Sequence, residues 1–354
     1  MAPIVSKQAE VMSGEAEGLR SRGAIVAAQP RRVPVRIWNT IHSRRPGIVL
    51  VLVAVVIVSQ VTYSNFLTGA NISAILTQNA PEGIIAVGMT FVIITAGFDL
   101  SVGSSYAFAA VVYPTLSQSH WIWLAALGAI GAALLGGVIN AVAIVKFRVS
   151  PFIATLGTMN VILGIAMLYS HAQPVTGSGA GFQWLGTGHV LGVPVPIWIF
   201  AIVFVVGGAV LRFTVYGRNI YGIGGNEQAS HLAGVRVGLN RGVAYIMVAG
   251  LAGLAGVITA SMLGSGEANI GTNTALSTIT MVVIGGTALS GGEGAMWRTL
   301  VGVLIIGGLT NLFESLSVNS NWVDVATGGI LIVAVAMEQL SGRDPFKAFR
   351  RAKV

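Results

Sequence analysis

The sequence predicts an all-α integral membrane protein, a polytopic bundle of helices, and its composition carries that prediction. Of the 354 residues, 54% are hydrophobic and only 9% are charged, and the mean hydropathy is +0.80. A soluble chain of this length could not cover its surface with so few charged side chains. The 47 glycines suit helices that pack closely in lipid, where small residues let backbones approach each other.

The two ends of the chain are polar and differ from the middle. Residues 1–45 carry acids early and arginines late, which predicts a cytoplasmic tail that is disordered. Because this tail is long and carries acids early in its sequence, it does not resemble the short basic region of a cleaved signal peptide. Residues 341–354 are predicted to be a basic cytoplasmic tail, since Lys and Arg favour the cytoplasmic side.

Residues 46–340 are predicted to form the transmembrane domain, with about ten spans of roughly 20 residues each. Counting from a cytoplasmic N-terminus places every connecting Lys and Arg on the inner side, as the positive-inside rule requires. An even number of spans also keeps the basic C-terminal tail inside. The predicted spans are 47–64, 72–96, 101–118, 121–145, 150–171, 193–213, 241–263, 274–291, 297–314 and 321–339.

Two stretches rich in Gly and Ser, 95–105 and 285–294, interrupt the apolar runs. Irregular backbone at membrane depth is tolerated where protein or a water-filled cavity satisfies its polar groups, so these breaks predict a path across the membrane. Tight interhelical turns are the alternative. Both breaks contain Leu-Ser-x-Gly, a hint of an internal repeat, although they run in the same direction. The residues predicted at or beside the path are Glu82, Phe98, Asp99, Ser101, Thr287 and Ser290.

Two of these residues are acidic and have competing interpretations. Glu82 follows Pro81 inside a predicted span, where an acid faces the bundle or water. It could equally bond to helix backbone that the proline has loosened, so both roles remain open. For Asp99 the sequence favours a structural role, as an N-cap of the third span supported by Ser101.

The segment 216–241 is a long polar interruption with the signals of a folded element. Asn226 is a suitable N-cap, an acid and an amide follow it in the first turn, and Gly234 is a suitable stop. The prediction is a short exposed helix of about two turns. Its apolar face would consist of Ala229, Leu232 and Ala233, flanked by Ser230 and His231. Such a helix suits a docking contact, and an ordinary structured loop is the alternative.

Catalytic and metal-binding patterns are absent from the sequence. The four lysines do not stand in a Gly-Lys-Ser/Thr loop, so no Walker A site exists. The histidines show no metal-ligand spacing, and cysteine is absent. The Gly-x-Gly-Gly at 222–225 follows no strand pattern. We therefore expect no enzyme activity, cofactor or metal on this chain.

Two motifs resemble a known family. AVGMTFVIITAGFDLSVGS at 86–104 and GRNIYGIGGNEQASHLAGV at 217–235 are similar to the permease subunit of bacterial ABC sugar importers of the ribose/xylose/arabinose type. The resemblance covers roughly 71–340. In the first motif Ala96 and Phe98 replace a Gly and the Ile of the family's common form, which bears on which substrate passes.

The resemblance implies a homodimeric channel in the bacterial inner membrane. It implies separate subunits that bind ATP and Mg and an extracytoplasmic sugar-binding protein. It also implies that the helix at 226–234 is a coupling helix that docks in a groove of the ATPase. The coupling residues it implies are Gly217, Arg218, Gly224, Gly225, Asn226, Glu227, Ala229, Leu232, Ala233 and Gly234.

The leading hypothesis is ATP-driven import of a small neutral sugar, a pentose or hexose. A proton-coupled secondary transporter that uses Glu82 or Asp99 is the alternative from another mechanistic class. A membrane enzyme or receptor lacks a catalytic constellation. Within the family, an autoinducer, inositol or nucleoside substrate remains open.

Overall fold

The computed structural model describes residues 47–119, 121–319 and 321–342, with side chains up to residue 336. The predicted N-terminal tail at 1–45 lies outside the described residues. So does the predicted C-terminal tail from residue 343 onward.

The described chain is a succession of helices with a few two-residue strands. In chain order the helices are α1 (Gly47–Thr62), α2 (Gly69–Ile94), α3 (Val102–Ser117), α4 (Ile122–Val145), α5 (Pro151–Tyr169), α6 (Trp184–Thr187), α7 (Val195–Phe213), α8 (Val215–Gly225), α9 (Glu227–Leu232), α10 (Val237–Leu263), α11 (Thr274–Ile284), α12 (Met296–Ser315) and α13 (Asn321–Gly342). The strands are β1 (Val175–Thr176), β2 (His189–Val190), β3 (Val193–Pro194) and β4 (Ser265–Gly266).

Each predicted span coincides with one of these helices. Five of them, α4, α5, α7, α10 and α12, are long and apolar enough to cross a membrane by length and composition. The number of crossings therefore stays a prediction. The predicted span 274–291 is wrong at its end, because α11 stops at Ile284. Gly285 follows, and Gly286 then takes a φ of +82°, a conformation that glycine adopts without strain and that ends the helix.

The core lies around the second half of α2, where every residue of 83–94 is buried. Helix α10 packs against α2, α3 and α4. Glycines permit the closest approaches: a Cβ on Gly88 would lie 2.8 Å from Val248 Cα, and one on Gly137 would lie 2.7 Å from Tyr245 O. This is the small-residue packing that helices use in lipid.

The outer helices expose apolar surface. In the apolar windows of α4, α5 and α7, 33%, 28% and 22% of residues are buried, against 56% for α10 and 61% for α12. Their large exposed residues include Leu135, Leu168 and Val205. Such surface suits lipid or another membrane protein rather than water.

The connections gather at two ends of the bundle. At one end β1 pairs antiparallel with β4, and Gln118 Nε2 donates to Thr176 O at 3.3 Å. This end contains no Lys or Arg in the described residues. The other end, which we call the α9 end, holds the connection between α2 and α3, helices α8 and α9, and residues 285–295. The described basic residues flank connections at the α9 end: Lys146, Arg148, Arg212, Arg218, Arg236, Arg241 and Arg298.

Candidate functional site

The helix predicted after Asn226 is present as α9. Asn226 is extended at its N-cap, and its Oδ1 accepts a hydrogen bond from the backbone N–H of Ala229 at 2.9 Å. Gly234 takes a φ of +80° after the last turn. The N–H groups of Gly234 and Val235 donate at 3.0 Å to the carbonyls of His231 and Ser230, which is the Schellman pattern. Both ends of this short helix are therefore fixed by local hydrogen bonds.

The apolar face of α9 points away from the protein. Leu232 is 87% exposed, and Ala229 and Ala233 are exposed as well. Ser230 is only 7% exposed, and its Oγ lies 3.2 Å from where a Cβ on Gly222 would sit. The serine predicted to flank the apolar face thus holds α9 against α8, and the apolar face stays free.

Helix α8 is an element that the sequence did not predict, because the glycines at 222–225 disfavour a helix. The Thr214 hydroxyl accepts from the N–H of Gly217 at 3.1 Å and caps the helix. Ile220 and Ile223 are buried on one side of it. Thr214 followed by apolar residues at helical spacing is the signal that could have located it.

Two further contacts fix α8 and α9 to the bundle. The Arg241 guanidinium on α10 donates to the Glu227 carboxylate at 2.8 Å. The Tyr221 hydroxyl on α8 donates to Gly294 O at 2.8 Å. Burial raises the pKa of Tyr221 to about 12, so its phenol, which is protonated at neutral pH in any case, keeps the proton for this bond into the alkaline range as well. Arg218 and Gly225 are exposed, whereas Gly217 is buried.

The first break holds a buried polar cluster. Asp99 and Ser101 are fully buried, and Asp99 Oδ1 accepts from the Ser101 N–H at 2.9 Å and from its Oγ at 2.6 Å. Asn140 on α4 donates to Ser101 Oγ at 2.8 Å. The predicted N-cap role of Asp99 is wrong in position: Ser101 precedes α3 without a side-chain cap bond. Asp99 instead closes the turn before the helix, because its carboxylate reaches the amide two residues on.

Phe98, predicted beside the path, is half-buried, and its carbonyl accepts from the Tyr245 hydroxyl at 3.2 Å. In the second break Thr287 is buried and Ser290 is exposed. A Cβ on Gly294 would lie 3.0 Å from Thr287 Cγ2. The predicted path residues in the two breaks thus lie at the α9 end of the bundle.

Glu82 lies apart from these residues, within α2. Its carboxylate accepts from Ser277 Oγ on α11 at 2.6 Å. One of the two alternatives for Glu82 was a bond to helix backbone loosened by Pro81, and the hydrogen bonds of the described residues do not include it. A cleft of about 520 Å³ lies at the other end of the bundle, between the β1 region and α6. It contains none of the predicted path residues.

The fold defines a polytopic helical membrane protein with a capped, exposed helix at one end. The chain belongs to the family described as branched-chain amino acid transport system / permease component, which matches residues 71–335. It is 39% identical to the ribose import permease protein of Haemophilus influenzae over 83% of this chain and 92% of the relative. No solved structure matches the chain.

Other relatives agree with that assignment. The ribose import permease protein of Bacillus subtilis is 41% identical over 83% of this chain and 92% of the relative. An L-arabinose ABC transporter permease protein of Azospirillum brasilense is 36% identical over 88% of this chain and 92% of the relative. The resemblance drawn from the two motifs is confirmed, and the chain is a transport component and not an enzyme.

Proposed function

We propose that this chain is the membrane-spanning permease subunit of an ATP-driven importer. Its cargo is a small neutral sugar of pentose or hexose type, delivered by an extracytoplasmic binding protein. The observation that carries the proposal is the similarity, over more than four-fifths of the chain, to permeases named for ribose and L-arabinose. The family description names branched-chain amino acids. The individual relatives favour a sugar.

The chain has no Walker A loop of its own, so the energy of ATP must enter through another subunit. We assign that contact to α9. A short helix with both ends capped and an apolar face toward solvent suits a helix-in-groove contact. Leu232, at 87% exposed, is the residue with most surface to bury in such a groove. Ala229 and Ala233 beside it leave room for close approach.

The proposal also assigns the orientation of the chain in the membrane and its assembly as a dimer. The α9 end carries the described Lys and Arg residues of the connections, and the positive-inside rule makes that end cytoplasmic. With the N-terminal and C-terminal tails on the same side, the chain is a multi-pass protein of the bacterial inner membrane. The exposed apolar surface of the outer helices is available to lipid and to a second copy in a homodimer.

Reconstitution tests the proposal. The chain is placed in liposomes with its ATP-binding subunit, with its binding protein outside and radiolabelled ribose, arabinose, xylose or galactose as the probe. We expect one of these sugars to be taken up. This uptake should require ATP inside the liposomes and the binding protein outside, and a protonophore should leave it unchanged. Glu82→Gln is expected to keep the ATP requirement.

Uptake without the ATP-binding subunit, abolished by the protonophore, would contradict the proposal. It would instead favour a proton-coupled transporter that uses Glu82 or Asp99. ATP-dependent uptake of inositol, a nucleoside or an autoinducer, with no sugar uptake, would keep the subunit assignment and reject the sugar.

A further inference from the structure

Three segments far apart in sequence meet at one point of the α9 end. They are the end of α2, the loop at 291–294 and the C-terminal end of α8. The N–H of Gly292 donates to the carbonyl of Ile94 at 2.9 Å, which joins the second break to the last residue of α2, immediately before the first break. Gly224, near the end of α8, lies against this hydrogen bond: a Cβ there would overlap both Ile94 O and Gly292 N. We call this contact the glycine junction.

The junction is a contact of backbone on backbone. A Cβ on Gly292 would lie 2.7 Å from Gly225 N, and a Cβ on Gly291 would lie 2.8 Å from the N and the Cβ of Ala96. Gly291 and Gly292 have φ values of +81° and +75°, which favour glycine on conformational grounds as well. These contacts involve backbone atoms and the Cβ of Ala96, none of which can change rotamer. A movement of one segment therefore has to move the others.

A second bond ties α8 to the same loop. The Tyr221 hydroxyl donates to Gly294 O at 2.8 Å, one turn before the end of the helix. At this same C-terminal end α8 passes directly into α9, because Asn226 is both the C-cap of α8 and the N-cap of α9. Ser230 also packs against Gly222. Helices α8 and α9 are thus fixed to each other, and α8 is fixed to the second break.

We propose that Gly224 and Tyr221 are positioning residues that transmit displacement of α9 to both breaks of the transmembrane region. The inference rests on the proposed function, in which α9 is the contact with the ATPase. A push on α9 moves the end of α8, and the tight contact at Gly224 passes this movement to Ile94 and Gly292. Packed elements of this kind shift as units instead of deforming gradually. Both buried polar residues lie close in sequence to the segments that move: Asp99 comes shortly after Ile94, and Thr287 comes shortly before Gly292.

Two pairs of substitutions test the inference. Gly224→Ala inserts a methyl group into the junction, while Gly157→Ala on α5, away from the junction, adds the same group where no atom lies within 4 Å. Tyr221→Phe removes the bond to Gly294. Tyr216→Phe on the same helix removes an equivalent bond to Asn240 O, away from the junction. The measurements are co-purification with the ATP-binding subunit, ATP hydrolysis, sugar transported per ATP hydrolysed, and melting temperature in detergent.

We expect Gly224→Ala to retain the ATP-binding subunit and to transport about tenfold less sugar per ATP, since the methyl group must force the backbones apart. Tyr221→Phe should lower the same ratio about threefold to tenfold, the range for a lost hydrogen bond. Gly157→Ala and Tyr216→Phe should keep the wild-type ratio.

A wild-type ratio in both Gly224→Ala and Tyr221→Phe would overturn the inference, even if their melting temperatures fell. Should Gly224→Ala fail to reach the membrane, Tyr221→Phe decides alone. Failure of the proposed function has a different signature, because the wild-type chain would then neither retain the ATP-binding subunit nor require ATP.

Discussion

The side chain of Asn226 accepts a hydrogen bond from the backbone N–H of Ala229 at 2.9 Å. This bond sets where α9 begins, in a helix only six residues long. Asn226→Ala should destabilise α9 by about 1 kcal/mol, the usual loss on removing an N-cap side chain. Hydrogen exchange of residues 227–233 should become faster while that of α10 stays unchanged. Asn226→Asp keeps an acceptor at the cap and should exchange like the wild type, so equal exchange in all three proteins would contradict the role given to this bond.

Ala96 stands in the left-handed region, with a φ of +59°, directly after α2. Glycine adopts this conformation freely, whereas a residue with a Cβ loses about 1 kcal/mol or more there. Because Ala96 is exposed, Ala96→Gly loses little packing and should raise the melting temperature in detergent. Ala295→Gly is the control, since Ala295 has an extended backbone with a φ of −160°. It should leave the melting temperature unchanged or lower it. A lower value for Ala96→Gly would contradict the strain argument.

The Asp99 cluster should be a structural requirement of the first break. Asp99→Ala would leave the Ser101 N–H and Oγ–H buried without their acceptor, at a cost of about 2 kcal/mol or more. We expect less folded protein in the membrane and a lower melting temperature. Asp324 is exposed and bonded to Asn273 at 2.9 Å, so Asp324→Ala should have a much smaller effect. Equal effects of the two substitutions would contradict the assignment.

The sidedness of the bundle can be read by labelling, because the chain has no cysteine of its own. Leu232→Cys on α9 and Gln173→Cys at the other end both introduce thiols at exposed positions. The reagent is a membrane-impermeant maleimide, added to cells whose outer membrane has been made permeable and whose inner membrane is intact. It should label Gln173→Cys only. Opening the membrane should make Leu232→Cys reactive. External labelling of Leu232→Cys would reject the cytoplasmic placement of the α9 end.

Local signals explain what the sequence predicted well. The helices found at the predicted spans follow from apolar runs, and α9 follows from a cap at Asn226 and a stop at Gly234, both of which act within a few residues. The structure places the Ser230 side chain inward, which the sequence had only placed beside the apolar face. Ser230 is therefore a poor labelling site, and Leu232 is a better one.

Tertiary contacts explain what the sequence did not predict. Helix α8 has four glycines among eleven residues, which lowers its helix propensity. Burial of Ile220 and Ile223 supports it instead, and Gly224 is needed for the approach to Ile94 and Gly292. No local pattern links those three positions. The position of Asp99 was missed for a different, local reason: a carboxylate near a helix start can either cap the helix or close the turn before it.

The central claim is that the exposed face of α9 is the contact with the ATPase. The most direct test is to measure whether the ATP-binding subunit still associates with the Ala233→Glu variant. His231→Glu is the matched control, because it adds the same charge two residues away on an exposed part of α9 off the apolar face. The account predicts that Ala233→Glu reaches the membrane, fails to retain the ATP-binding subunit on purification and shows no sugar-stimulated ATP hydrolysis. His231→Glu should behave as the wild type. Normal retention and normal sugar-stimulated hydrolysis in Ala233→Glu would contradict the claim and leave α9 an ordinary surface helix.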